Sequence, residues 1–332
     1  MTIPEQPSRF GWVVGADIAS VKDPLGRVAK WQTRWLQVPV FERTWGFKSP
    51  LAHRRCSLEL RPSVHQFTEL RRSRNLLWNL TLRELRSRYR KSFLGWAWSM
   101  LNPLSNMLIY WFVFGIVFGA TAPVGQPSGI QVYALYLLSG ILPWGFFSLV
   151  TNLGMGSLLG NAGLVRKVAF SWETLVFAQV IFSFVQFCIE MSLLCVALII
   201  AGSPILAWIP VAFLLMLLLA VYASGFALAL AASAVFFRDL RYLWTIIIQV
   251  MFFATPIIYT PDRLDGKLHP YIEFILHWNP MAVFIKSFRQ LLYSGRNPEW
   301  GNIAYLVGAS ITSILLGWFI FGRLSRRLAE EL

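Results

Sequence analysis

The sequence has few charged residues and few side chains able to do chemistry. Charged residues make up only 14% of its 332 residues, whereas hydrophobic residues make up 56%. It contains three cysteines and four histidines, and their spacing matches no metal-binding pattern. No phosphate-binding loop of the form GxxxxGK[ST] is present, so we expect no ATP hydrolysis by this chain alone. These shortages disfavour a soluble enzyme and favour a membrane protein.

The positive charge of the chain does not indicate nucleic-acid binding. The formal net charge is +14, but 18 of the 30 lysines and arginines precede residue 99 and most of the others flank apolar runs. Cations beside apolar runs are typical of segments retained on the cytoplasmic side of a membrane. A soluble nucleic-acid-binding domain would lack such runs. We therefore expect membrane lipids as partners and no nucleic acid.

Six apolar runs are long enough to cross a bilayer, which takes about 20 helical residues. Two of the connecting loops, 120–131 and 201–205, contain no lysine or arginine, which places them outside and both termini in the cytoplasm. The predicted fold is an all-α integral membrane protein with six transmembrane helices in the plasma (inner) membrane. The runs lie at 100–119, 132–152, 175–200, 206–235, 242–259 and 302–321.

Residues 65–98 predict a cytoplasmic amphipathic helix that lies on the membrane before the first span. Its apolar face should interact with the bilayer and its cations with anionic headgroups. Residues 99–332 form the six-span domain. Residues 1–64 lack periodicity and predict a poorly ordered basic tail, for which a translated segment and a start-site extension both stay open. The apolar face is Trp78, Leu82, Leu85 and Tyr89, and the cations are Arg83, Arg86, Arg88, Arg90 and Lys91.

Residues 277–295 predict a short helix between spans five and six. Asn279 is the expected N-cap, Pro280 the first helical residue and Gly295 the stop. About 14 residues are too few to cross the bilayer. We expect re-entrant helices on the outer side, with a small solvated hairpin as the alternative.

Three features within the spans are candidates for function or packing. Glu190 is an intramembrane acid, and such groups are often functional; it either faces a conduit or is buried with a hydrogen bond. Gly115 and Gly119 form a GxxxG pattern that allows close helix approach and is a candidate for a contact between subunits. Aromatic residues recur along spans one and five and either line a path for sugar rings or serve as packing and lipid-facing residues. They are Tyr110, Trp111, Phe114, Phe118, Trp244, Phe252, Phe253 and Tyr259.

From about residue 65 to 332 the chain resembles the permease subunits of ABC-2 type polysaccharide exporters, which export O-antigen, teichoic acid or galactan. The similarity is carried by four stretches in a specific order between the spans. The chain departs from many relatives at Ser171, where they have a proline, and this affects only the local loop. The stretches are LLWNLTLRELRSRYRKSFLGWAWSMLNPL (76–104), NAGLVRKVAF (161–170), FFRDLRYL (236–243) and HWNPMAVFIKSFRQLLYSG (277–295).

The resemblance implies a homodimer that binds two copies of a separate ABC ATPase. ATP and magnesium would be used by that partner, and no cofactor by this chain. The stretch 161–170 would be the coupling helix that inserts into the ATPase, with a plain basic loop as the alternative. Its residues with expected contacts are Asn161, Leu164, Val165, Arg166, Lys167 and Val168.

The resemblance also implies a substrate, a cell-envelope polysaccharide carried on polyprenyl pyrophosphate. Arg88, Arg90 and Lys91 are candidates for holding the pyrophosphate, because guanidinium groups bind phosphates in a bidentate manner; general anchoring to anionic lipid is the alternative. We expect lateral entry between spans one and five and an exit gate at 261–298.

Two other functional classes stay open at this stage. One is an ABC-2 permease for a small molecule or drug, which would use the same scaffold. The other is a multi-span glycosyl- or acyltransferase. It would need a catalytic group on an aqueous face, and only the cluster that contains Asp262, His269 and His277 qualifies.

Overall fold

The computed structural model describes residues 74–89, 97–119, 121–165, 170–259 and 278–331, and within these ranges it contains helices and no strands. The predicted tail 1–64, the cations Arg90 and Lys91, the segment 166–168 and the acid and histidine cluster at 262–277 lie outside the described residues. The helices are α1 (Arg74–Tyr89), α2 (Ala97–Tyr110, continued by a π-helical turn Trp111–Val117), α3 (Tyr133–Gly160), α4 (Ala162–Val165), α5 (Glu173–Ile200), α6 (Ile209–Phe236), α7 (Leu240–Ala254), α8 (Pro280–Phe288, continued by a π-helical turn Arg289–Tyr293) and α9 (Trp300–Glu331).

All six apolar runs are helical, but they differ in length. Four of them, in α3, α5, α6 and α9, are long and apolar enough to cross a membrane. The first and fifth runs form the shorter apolar helices Leu104–Val117 and Leu240–Ala254. The 15 residues of α7 extend about 22 Å, less than the roughly 30 Å of bilayer hydrocarbon. The all-helical class is therefore confirmed for the described residues and four helices are candidate spans, whereas the total of six spans stays a prediction.

Helix α3 is the most enclosed of the long helices. In the most apolar stretch of α3, 78% of the residues are buried, whereas the corresponding share in α5, α6 and α9 is 17% to 39%. It packs against α2, α5, α6, α7 and α8. Small residues allow this, since a β-carbon on Gly154 would lie 2.6 Å from the β-carbon of Ala227 in α6. Close approach through small residues is a usual means of packing membrane helices.

The loops predicted to lie outside meet at one end of the bundle, which we call the outer end. The Tyr293 hydroxyl donates to the Pro123 carbonyl at 3.0 Å, and the Ser203 hydroxyl donates to the Leu292 carbonyl at 3.2 Å. Burial raises the pKa of Tyr293 to about 12, so its hydroxyl stays protonated and keeps donating at physiological pH. The opposite, inner end carries α1 and α4.

Helix α1 buries a different face from the apolar face identified in the sequence. Leu80 and Thr81 are buried, and α1 packs against α5. Trp78, on the opposite side, is 59% exposed. The sequence analysis therefore missed the face that holds α1 to the bundle. The Trp78 side chain is exposed, and contact of this face with the membrane stays a prediction.

Helix α8 begins as the sequence predicts. The Asn279 side chain accepts a hydrogen bond from the Met281 backbone N–H at 3.0 Å, and Pro280 is the first helical residue. Gly295 follows the π-helical turn with φ of +72°, a left-handed conformation that suits glycine. Most of α8 is buried against neighbouring helices, so the alternative of a free solvated hairpin is not supported.

The closest helix approach joins α6 and α9, not the GxxxG pattern of the first span. A β-carbon on Gly225 or Gly317 would overlap the backbone of the facing helix. The Ser313 hydroxyl of α9 donates to the Tyr222 carbonyl of α6 at 2.7 Å. Gly119 lies beyond the helix and has φ of +60°, so this pattern forms no close helix contact within the chain. A contact between subunits through Gly115 and Gly119 stays a prediction.

We predict that Gly225→Leu destabilises the protein by about 1–3 kcal/mol, the range for overpacked cores, because the side chain would overlap α9. Gly308→Leu is the matched control, since a β-carbon there meets nothing within 4 Å. Thermal unfolding in detergent followed by circular dichroism measures both. Equal melting temperatures for the two variants would contradict the predicted contact.

Candidate functional site

Helix α7 presents an exposed polar face. Arg241, Thr245 and Gln249 follow one another at intervals of four residues, and all three are exposed. Phe252 shares this face, whereas Trp244 lies on another face and is buried. Polar side chains are unfavourable against hydrocarbon and usually face the interior of a bundle or a water-filled cavity. We therefore expect this face to meet water or another polar surface and not lipid.

The neighbouring face of α7 is exposed and apolar. It carries Tyr242, Ile246, Val250 and Phe253, which are 60% to 77% exposed. This composition suits lipid or another apolar protein surface. The two exposed faces of α7 are thus chemically distinct, although both are uncovered in the single chain.

Helix α3 has a matching face of small and polar residues. Gly145, Ser148, Asn152 and Gly156 recur at helical spacing. Gly145 and Asn152 are exposed although most of α3 is buried. The Asn152 side-chain amide donates to the Ser148 carbonyl at 2.7 Å.

Two contacts set the register of α3 and α7. The rings of Trp144 and Phe252 lie 5.9 Å apart, and a β-carbon on Gly156 would lie 3.6 Å from Nη2 of Arg241. The helices therefore run antiparallel, which brings Asn152 level with Thr245. Between the two contacts, over about 16 Å at 1.5 Å per residue, Asn152 and Thr245 are exposed, and we call this exposed surface the α3–α7 cleft. It is lined by Gly145, Ser148, Asn152, Gly156, Arg241, Thr245 and Gln249.

Three aromatic rings close the outer end of the cleft. Tyr110 of α2 stacks on Phe252 with a centroid distance of 5.9 Å, and Trp144 contacts the same Phe252 ring. We call Tyr110, Trp144 and Phe252 the aromatic plug. Phe114 and then Phe118 continue the ring contacts toward the end of α2, at 6.3 Å and 5.7 Å.

The other aromatic candidates lie around this plug with different contacts. Phe253 contacts Phe252 at 5.3 Å, and the Tyr259 hydroxyl donates to the Phe253 carbonyl at 3.1 Å. Trp244 packs on Phe226 of α6 and is buried. Trp111 is 40% exposed. The structure thus joins span one to span five through Tyr110 and Phe252, while the role of these aromatics in a path stays a prediction.

Glu190 lies on a buried polar line along α5, away from the residues that line the cleft. It is 9% exposed and accepts a hydrogen bond from the Gln186 amide at 2.9 Å. Gln179 and Ser183 continue the same helical face, and both are buried. Hydrogen-bonded burial is the arrangement expected for a packing role, and the alternative role in a conduit stays a prediction.

At the inner end, the predicted coupling segment is joined to α1. The Arg83 guanidinium donates to the Asn161 side-chain oxygen at 2.8 Å. The Asn161 amide donates to the Ser157 carbonyl at 2.9 Å. The Asn161 side chain thus contacts the last turn of α3 through its amide nitrogen and α1 through its oxygen. Among the described residues of the segment, this oxygen does not cap α4. Leu164 and Val165 are half-buried in α4.

The remaining candidate residues stay predictions. Arg90, Lys91, Arg166, Lys167 and Val168 lie outside the described residues, and for Arg88 the structure describes only the backbone within α1. In the part of the chain that the structure describes, no group of three or more His, Cys, Asp and Glu could hold a metal ion.

The polar face of α7 is the main feature that sequence reasoning missed. In the sequence, Arg241 lies in the stretch 236–243, and Thr245 and Gln249 lie within the apolar run 242–259. Their shared spacing of four residues was the available signal, because it places all three on one helical face.

The fold and cleft define a class of protein, a multi-span membrane permease. The match to the family model for ABC-2 type transporters covers residues 75–293. The chain belongs to this family, so it is a transport subunit and not an enzyme, and the transferase alternative is set aside.

The chain is similar over most of its length to named exporters. It is 30% identical over 260 residues to an O-antigen export system permease protein, RfbA, of Klebsiella pneumoniae, covering 78% of this chain and 95% of that protein. A protein of the same name from Myxococcus xanthus is 29% identical over 266 residues, covering 80% and 98%. The polysialic acid transport protein KpsM of Escherichia coli is 22% identical over 251 residues, covering 73% and 90%.

We predict that the two exposed faces of α7 differ in contact with water. In a variant without native cysteines, Thr245→Cys and Gln249→Cys should react with a hydrophilic maleimide in native membranes. Ile246→Cys and Val250→Cys, the matched controls on the apolar face, should react much more slowly, because thiol alkylation requires the thiolate and therefore water. Equal labelling of the two pairs would show that the cleft is not aqueous.

Proposed function

We propose that this chain is the permease subunit of an ATP-driven exporter for a lipid-linked cell-envelope polysaccharide. The substrate, carried on polyprenyl pyrophosphate, would move from the cytoplasmic to the outer side of the plasma membrane. The observation that carries the proposal is the α3–α7 cleft, an exposed polar surface that ends in an aromatic plug. The names of the relatives, which concern O-antigen and polysialic acid, support a polysaccharide substrate.

The surface chemistry of the cleft suits a sugar polymer. Asn152, Thr245 and Gln249 offer amide and hydroxyl groups that hydrogen-bond to sugar hydroxyls. The aromatic plug offers rings on which the apolar faces of sugars stack. A drug-sized ligand instead favours an enclosed and mostly apolar pocket. These features favour polymer export over the alternative, an ABC-2 permease for a small molecule or drug.

A second copy of the chain would complete the path. The polar face of α7 is exposed in one chain, and exposure of that face to lipid is unfavourable. Two copies related by a twofold axis would bring two such faces together, in agreement with the twofold symmetry of most homodimers. The lipid portion of the substrate would stay in the bilayer at the seam between copies while the glycan occupies the polar interior.

The force for transport would come from two ATPase subunits at the inner end, which supply the ATP and magnesium chemistry. The segment 161–168 would be the docking element. Because Arg83 binds Asn161, α1 would move together with this segment. In this arrangement both termini of the chain lie in the cytoplasm.

Depletion of this chain in its native cell tests the proposal. We expect lipid-linked polysaccharide to accumulate on the cytoplasmic side, where immunogold labelling and extraction of the lipid pool detect it. Complementation by the intact chain is the control. Normal surface polysaccharide combined with altered drug sensitivity would instead support the small-molecule alternative.

A further prediction concerns the cations at the end of α1. If Arg88, Arg90 and Lys91 hold the pyrophosphate, replacing all three with glutamine should abolish substrate-stimulated ATP hydrolysis in the purified complex. Assembly with the ATPase should persist, because the cations would act on substrate and not on the partner. Arg323→Gln, in the last helix, is a control for loss of cytoplasmic charge. Unchanged stimulation in the triple variant would contradict the pyrophosphate role.

A further inference from the structure

A buried arginine lies at the outer end of the bundle without an acidic partner among the described residues. Arg289, in the π-helical turn after α8, is 8% exposed. Its Nη1 donates to the Pro256 carbonyl at 2.6 Å, and its Nη2 donates to the Ile257 carbonyl. The guanidinium carbon lies 3.8 Å from the centroid of the Tyr136 ring in α3. Burial of a cation is costly when, among the described residues, only carbonyl groups and an aromatic ring contact it. We therefore expect Arg289 to have a structural role.

The two carbonyls belong to the turn that follows α7. Helix α7 stops at Ala254, and the Thr255 backbone N–H and hydroxyl both donate to the Met251 carbonyl in its last turn. Pro256 and Ile257 lie two and three residues beyond the end of the helix. Arg289 holds this turn in place from another part of the chain by donating to both of these carbonyls.

The same guanidinium lies against α3. A β-carbon on Gly140 would be 2.8 Å from Nη2 of Arg289, so glycine provides the space that the arginine occupies. The Tyr136 ring, one turn earlier in α3, stacks on the guanidinium as a cation–π contact. Arg289 thus joins the outer end of α3 to the turn that directly follows α7, and these two helices form the walls of the cleft.

The link between these helices at the inner end is different. There Arg241 lies beside Gly156 as an exposed side chain. Separating Arg241 from Gly156 would cost little free energy, because the charge of Arg241 is already exposed. Separating Arg289 from its carbonyls would leave a buried charge without hydrogen bonds, which is strongly unfavourable.

We propose that Arg289 is a positioning residue that holds the outer ends of α3 and α7 together, so that this end is a pivot and the cleft opens from the inner end. We expect this motion because α3 and α7 are held together by a buried charge at the outer end and only by an exposed side chain at the inner end. The significance of this motion for transport rests on the proposed function, but the motion itself can be measured without knowledge of the substrate.

Distances between spin labels test the pivot. Cysteines replace Val132 and Val250 for an outer pair, or Gly160 and Tyr242 for an inner pair, all at exposed positions. The native cysteines are replaced by alanine, and labelled chains in lipid nanodiscs are diluted with unlabelled chains so that distances within one chain dominate. Double electron–electron resonance should show a narrow distribution for the outer pair and a broader one for the inner pair.

Arg289→Gln should broaden the outer distribution until it resembles the inner one. Lys286→Gln is the matched control, because Lys286 lies on α8 but is exposed and paired only with Glu299 at 3.7 Å; it should leave both distributions unchanged. If Arg289→Gln prevents folding, Gly140→Ala displaces the guanidinium without removing the charge and should give the same broadening.

Two results would overturn the proposal. One is an outer distribution that stays narrow in a folded Arg289 or Gly140 variant. The other is an outer pair in the wild-type chain that is as broad as the inner pair. Either result leaves the depletion experiment unaffected, so failure of the pivot and failure of the export function are distinguishable.

Discussion

The enclosure of α3 is the constraint on which the rest of the structure depends. Lipid supplies little hydrophobic drive for helices to associate, so membrane helices rely on close packing and interhelical hydrogen bonds. Helix α3 satisfies this requirement with small residues. Gly140 leaves room for the guanidinium of Arg289, and Gly154 allows close contact with Ala227 of α6. Its one exposed polar strip, around Asn152, then becomes the wall of the cleft. The core helix and the candidate path are therefore two faces of the same element.

The turn after α7 connects the cleft to the outer end. Backbone carbonyls that are buried away from water need hydrogen-bond donors. Arg289 donates to two of them, at Pro256 and Ile257, and it also contacts α3. Hence the feature that completes the fold at this end is the one that resists separation of the cleft walls. Opening at the inner end agrees with the proposed delivery of substrate from the cytoplasm and with the proposed docking of the ATPase near Asn161.

Several structural features were predictable because they depend on local chemistry. Pro280 after Asn279 indicates a helix start, and the structure contains that cap. The aromatic residues of spans one and five were grouped from composition, and Tyr110 does stack on Phe252. The polar face of α7 was missed, because three polar residues in an apolar run carry meaning only when their exposure is known. The GxxxG pattern makes no close helix contact within the chain, because the helix ends before Gly119.

The sequence by itself determined the helical class, the positions of the apolar runs, the α8 cap and, through four stretches of similarity, the family. These properties follow from composition, spacing and local hydrogen bonding, which act over a few residues. Only the tertiary structure decided which faces meet: Gly225 with Gly317, Asn152 level with Thr245, and Arg289 with the carbonyls of the turn after α7. Apolar helices can pack in several ways that local periodicity does not distinguish, so the choice is made by contacts between residues far apart in the chain.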